Sequence, residues 1–155
     1  MKKILFLPIL FCCCFSLSIA LAQSTNIPAN LIGTFDGRTP CQELAKQLNE
    51  PATPDCIKIK WRLMLYRNGD HLTSGTYSLQ GFRFRVENML KGTWQITKGS
   101  KADPYATVYK LNHSTRGNIY LLKADDDVFL FLDDAKNIMV GNRYFSYALY
   151  RTELQ

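Results

Sequence analysis

The sequence predicts an all-β fold: a small antiparallel up-and-down β-barrel, with a short helical segment in a disulfide-closed loop. Three observations carry this. Residues 57–66 follow a period of two, with Ile57, Ile59, Trp61, Leu63 and Leu65 on one side, the period of a half-buried strand. Turn signals recur roughly every ten residues, the spacing of short strands in barrels and sandwiches. One stretch, residues 43–48, has helical spacing, and Pro51 and Pro54 prevent its continuation. Consecutive hairpins favour an up-and-down barrel, because closure removes exposed sheet edges.

The elements follow in order. Residues 31–37 read as a first strand, with Phe35 between Gly33 and Gly37. Leu44, Ala45 and Leu48 share one face of the helical piece. In the clearest strand, Ile57, Ile59, Trp61, Leu63 and Leu65 alternate with Lys58, Lys60, Arg62, Met64 and Tyr66. Asn68-Gly69 supplies a hairpin turn, and residues 72–79 return. Gly81 punctuates, and Phe82, Phe84 and Val86 alternate with Arg83, Arg85 and Glu87 in another half-buried strand. Residues 92–97, with Trp94 and Ile96, and residues 105–111 flank a turn. A polar turn around Gly117 leads to strands at 119–123 and 128–132, joined through Asp125, Asp126 and Asp127. A turn at 133–137, a short strand at 138–140 and a last strand at 144–151 complete roughly nine strands.

The chain has 155 residues, 46% hydrophobic and 21% charged. That is one domain, neither disordered nor fibrous. The N-terminus carries Lys2 and Lys3, then an apolar run through Leu21, then Ala20-Leu21-Ala22. That order is a secretory signal with its cleavage site. The run sits at the lower limit for spanning a bilayer, and the cleavage site favours removal over a transmembrane anchor. Lipid attachment needs a small residue before the modified cysteine. Cys12 follows the bulky Phe11, while Cys13 and Cys14 follow cysteines, so a soluble product is preferred to an outer-membrane lipoprotein. The reading is therefore residues 1–22 signal peptide, 23–30 flexible arm and 31–155 barrel, in a periplasmic or secreted protein. Without the signal, 133 residues remain, with 17 basic against 13 acidic side chains and two cysteines.

Cys41 and Cys56 are an even pair in an oxidising compartment, the simplest disulfide framework. A redox pair would use C-x-x-C, and a soft-metal site would want more thiolates or histidines. His71 and His113 both lie beside turn residues and read as solvated. No G-x-S-x-G elbow or phosphate-cradling glycine loop occurs. The acidic run lacks the ligand spacing of a calcium loop and reads as a hairpin tip. No catalytic residue, metal or cofactor is predicted. Lys58, Lys60 and Arg62 on one strand, and Arg83 and Arg85 on another, mark a solvated outer face. Basic and aromatic residues on a sheet can bind single-stranded nucleic acid, but export leaves that partner out. An anionic envelope surface remains open. Trp61, Leu63, Tyr77, Trp94 and Phe129 are predicted to point inward. In a small barrel such residues either fill the core or line a cavity for one small ligand.

The stretch Gly33-Thr34-Phe35-Asp36-Gly37-Arg38-Thr39-Pro40-Cys41 resembles the opening of the NlpE N-terminal domain family of bacterial envelope proteins. Cys56 and the strand after it, Asn68-Gly69-Asp70, Gly92-Thr93-Trp94, Asp133 and Tyr147-Ala148-Leu149-Tyr150-Arg151 are similar to that family's later strands and turns. The resemblance implies a lipocalin-like small β-barrel in the cell envelope. It also implies a role in envelope or surface-contact stress, with a link to copper tolerance in some members. Members place their first cysteine pair in C-x-x-C, whereas fourteen residues separate Cys41 from Cys56. Met64, Met89 and Met139 are scattered, so the residues offer no copper ligand set. The expected function is non-enzymatic envelope homeostasis or stress sensing, through an envelope protein partner or a small apolar ligand. A lipocalin-like carrier and a periplasmic copper-binding protein are the alternatives.

Overall fold

The computed structural model describes residues 28–81, 87, 89–114 and 116–152. The expected signal at 1–22, residues 23–27 of the arm and residues 82–86 of the strand expected at 82–87 lie outside the described residues. Eight strands form one closed antiparallel barrel in sequence order. They are β1 (Leu31–Pro40), β2 (Lys58–Asn68), β3 (His71–Gln80), β4 (Leu90–Lys98), β5 (Thr107–Asn112), β6 (Asn118–Lys123), β7 (Val128–Leu132) and β8 (Ala148–Thr152). One helix, α1 (Gln42–Gln47), lies between β1 and β2. Closure comes from β1 pairing with β8 through Thr34, Phe35 and Asp36.

Register explains the core. The alternating set of β2 lands Leu63 opposite Phe35 on β1 and Leu79 on β3, and Leu65 opposite Tyr77. All five are buried, since a period of two keeps register partners on one face. Large inward rings face glycines. Trp61 is opposite Gly37, Trp94 opposite Gly75, and Tyr77 opposite Gly92. A glycine leaves room that a ring on the neighbouring strand fills. A Cβ on Gly75 would lie 1.9 Å from the Tyr66 carbonyl oxygen and 2.8 Å from Trp94 Nε1.

The β1–β2, β5–β6 and β7–β8 connections share one end of the barrel, and α1 plugs it. Leu44, Ala45 and Leu48 are buried there. Glu43 in the first turn and Lys46 in the last suit the helix dipole. The helix stops in a Schellman arrangement. Asn49 takes φ 52°, its N–H donates to Lys46 O, and Glu50 N–H donates to Ala45 O. The Cys41–Cys56 disulfide closes the loop, with Cα atoms 5.8 Å apart. Glu50, buried, pairs with Arg116 from the β5–β6 connection. A buried carboxylate requires such a partner.

Among the described residues the barrel has eight strands. Three expectations need correction. Residues 138–140 form no strand. Ile138 makes an isolated bridge to Leu132, Met139 N–H donates to Phe131 O, and Val140 is 84% exposed. The last strand starts at Ala148 rather than 144, because Asn142 holds the preceding backbone in a turn. Tyr105 stays outside β5, because the Asp103 carboxylate accepts its N–H at 2.8 Å.

Candidate functional site

The five residues predicted to point inward are all buried and share one core cluster. Rings pack along the interior: Trp94 on Tyr109 at 5.2 Å, Tyr109 on Phe129 at 4.9 Å, and Phe129 on Phe35 at 4.7 Å. Trp61 packs on Phe131 at 5.7 Å. Centroid separations of about 4.5–7 Å are those of packed aromatic pairs. The polar tips are satisfied. Trp61 Nε1–H donates to the buried Thr39 Oγ1 at 2.9 Å, and Trp94 Nε1–H donates to Tyr66 O at 3.0 Å. Burial pushes the Tyr77 phenol up to about 12.

Two concave surfaces lie outside the barrel around one turn. In residues 141–147 the Asn142 carboxamide oxygen accepts the N–H groups of Tyr144 and Phe145, at 2.9 and 3.0 Å. Asn142 N–H in turn donates to Phe145 O at 2.9 Å. Asparagine forms such turns because its short side chain reaches backbone two residues on. Gly141 is required there, since a Cβ would lie 2.1 Å from Phe145 O. The turn projects Tyr144, 68% exposed, with the Arg143 guanidinium 4.7 Å from its ring centroid. The chain then re-enters the core at Tyr147. Its phenol donates to Glu43 Oε2 at 3.1 Å, and burial together with that carboxylate raises its pKa.

Two grooves flank this turn. The first, about 590 Å³, lies over the outer face of β1 and β2, where Arg38, Lys60, Arg62 and Tyr150 meet Tyr144 and Phe145. Arg38 and Lys60 are register partners, as are Asp36 and Arg62. Asp36 grips Arg62 in a two-pronged ion pair, at 2.9 and 2.7 Å, and raises its pKa. Among the described residues Arg38 and Lys60 have no acidic partner. The second groove, about 730 Å³, is bounded by the disulfide, Pro40, Ile57, Tyr144 and Tyr147. It is mostly apolar, and Ile57 is 67% exposed. The Lys58 ammonium stands 5.7 Å from the Phe145 ring between them.

Lys58, Lys60 and Arg62 thus lie on the exposed outer face, whereas Arg83 and Arg85 fall outside the described residues. His71 is exposed beside the β2–β3 turn, and His113 is half-buried in the β5–β6 connection. Asp125, Asp126 and Asp127 form an exposed tip, where Asp126 pairs with Lys123 and Asp127 with Arg151. Among the described residues no group of three histidine, cysteine or carboxylate side chains converges to hold a metal. Sequence reading missed Arg38, Tyr144, Phe145 and Tyr150 as site residues. The available signal was Gly141-Asn142, a turn pair one residue ahead of the aromatic Tyr144-Phe145. No family model matches the chain, and neither a curated protein nor a solved structure matches it.

Proposed function

We propose that this chain is an exported, non-enzymatic, NlpE-like β-barrel. It acts in envelope homeostasis or stress sensing by binding a partner protein on its outer surface. The observation that carries the reading is the contrast between the two sides of the wall. The inward aromatic residues are packed against one another. Outside, a built turn holds exposed Tyr144 between two grooves. Single exposed apolar residues are ordinary, but clustered ones beside concave surface mark interaction sites. Ile57, Tyr144 and Tyr150 are such a cluster. The export reading rests on residues 1–22, and a disulfide suits an oxidising compartment.

The test is site-specific photo-crosslinking in the native envelope, with the reactive group at Tyr144 and, as reference, at Leu72 beside the β2–β3 turn. Protein adducts concentrated at Tyr144 are the expected result. Native mass spectrometry showing a retained small molecule, with equal crosslinking at both positions, would replace this reading by a carrier.

A further inference from the structure

We infer that the paired grooves recognise an extended segment of the partner that is acidic at one end and apolar at the other. This inference rests on the binding reading above and adds the chemistry of the occupant. The first groove supplies cations in a fixed row. Arg38 and Lys60 stand side by side across β1 and β2. Both are exposed, and neither has an acidic partner among the described residues. Arg62, the next cation along β2 on that face, is already neutralised by Asp36. Within the lining of this groove the unmet positive charge is therefore concentrated at Arg38 and Lys60, while Lys58, the preceding cation on that face, stands over the Phe145 ring. An arginine fork matches a carboxylate by two parallel hydrogen bonds, while lysine offers a point charge. A segment with two acidic side chains complements this pair.

The second groove asks for a different group. Its boundary is the disulfide, Pro40, Ile57 and the Tyr144–Phe145 turn, surface that gains by leaving water. The two grooves share Tyr144 and Phe145, so one occupant lying across that turn reaches both. Each groove is of about the size that takes a small ligand or a few side chains. A lipid with an anionic head has the same two chemistries. The exposed positions favour a polypeptide. Ile57 and Tyr144 keep about two-thirds of their surface in water, and a single acyl chain in an open groove would leave most of that uncovered. A protein segment, backed by the body of its own domain, covers both.

The experiment uses the purified mature protein and a fluorescein-labelled synthetic peptide with a Glu/Asp half and a Leu/Phe half. Controls are the same peptide with lysine in place of each acid, and vesicles containing phosphatidylglycerol. The acidic peptide is expected to bind, and the lysine peptide not to bind. Affinity should fall as salt rises, because exposed charges are screened. Arg38→Glu with Lys60→Glu should weaken it about tenfold or more, the scale of an opposed charge pair. Both side chains are exposed, so the variant keeps its fold, checked by circular dichroism. Tyr144→Ser should weaken binding while leaving the salt dependence in place. Equal affinity for the acidic and lysine peptides, no effect of the charge reversal, or binding to vesicles alone would each overturn the inference. Protein crosslinks at Tyr144 without peptide binding would sink this occupant while leaving the outer-surface reading standing.

Discussion

The Arg151 guanidinium lies over the Phe35 ring, 4.7 Å from its centroid, and the two are register partners across the β8–β1 seam that closes the barrel. The same group donates through Nε to Asp127 at 2.7 Å, through one terminal nitrogen to Ile32 O at 3.0 Å, and through the other to Asp126 O at 2.9 Å. It thus ties β8, the start of β1 and the β6–β7 tip together. Only a planar fork reaches all three acceptors. Arg151→Lys is expected to lose about 1–2 kcal/mol despite keeping its charge, the scale of one or two charged hydrogen bonds partly open to water. Urea midpoints of the two proteins check this. An unchanged midpoint would mean that the seam holds without the fork.

Gly75 is a second joint. A methyl there meets the Tyr66 carbonyl at 1.9 Å and the Trp94 indole at 2.8 Å, and the carbonyl belongs to backbone that cannot step aside. Gly75→Ala is expected to destabilise the barrel by about 1–3 kcal/mol or more, as overpacking does. The same substitution at Gly69, in the β2–β3 turn, meets no atom within 4 Å, but its φ of +59° disfavours alanine. Its effect should be smaller, about 1 kcal/mol. Denaturant midpoints for both variants check the ranking, and equal losses would contradict the cross-strand account.

The contrast between these positions shows what was legible in sequence. The alternation from Ile59 to Leu65 fixes which face of β2 is buried, because slipping one residue would turn every side chain to the wrong side; Ile57, which the same pattern puts inward, precedes β2 and is exposed instead. Cys41 and Cys56 announced their bridge through number and compartment. What stayed hidden depends on pairs distant in sequence. Phe35 and Arg151 meet only once the barrel closes, and Glu50 finds Arg116 only after α1 is docked. The groove was hidden for a local reason too. Residues 144–147 carry strand-like side chains, Tyr144, Phe145 and Tyr147. The Asn142 carboxamide nevertheless takes the backbone N–H groups of Tyr144 and Phe145. One side-chain oxygen thereby outweighs β propensity over two residues.

The disulfide constrains a loop of sequence separation 15. In the chain-entropy model, a bridge of that span stabilises by about 3 kcal/mol. Cys41→Ala with Cys56→Ala should lower stability by about that amount. The loop should stay docked in the folded variant, because Glu50 still pairs with Arg116 and Gln42 Nε2 still donates to Thr53 O and Cys56 O, both at 3.0 Å. Urea titration of the variant beside the oxidised and reduced wild type checks it. The reduced wild type should track the variant, and a reduced protein as stable as the oxidised one would remove the bridge from the account.

A buried indole sets a further test. Trp61 Nε1–H donates to Thr39 Oγ1 at 2.9 Å, and Thr39 is fully buried. Thr39→Val keeps the volume and removes the acceptor. The indole N–H is then left unpaired in the core, which costs about 1–3 kcal/mol. Thr39→Ser keeps an acceptor and should recover most of the loss. The two midpoints measured together separate the hydrogen bond from packing. A valine variant as stable as wild type would show that the indole finds another acceptor.

Alkaline pH should loosen the barrel through its buried phenols. Burial raises the pKa of Tyr77 from 10.0 to about 12, and burial with Glu43 raises that of Tyr147. A raised pKa means that the native state holds the proton more tightly than the unfolded chain. That stability is complete below pH 10 and is lost as pH rises through the folded value. For Tyr77 the window runs from 10.0 to about 12, worth at most about 3 kcal/mol at about 1.4 kcal/mol per pH unit. Tyr77→Phe removes the titrating group at the cost of a long contact, 3.4 Å, to Asn112 O. The variant should therefore lose less stability than wild type across that window, with the two converging on the acid side of it. Urea midpoints measured at neutral pH and through the window check the slopes. Parallel curves would mean that the Tyr77 phenol ionises as easily inside the barrel as in water.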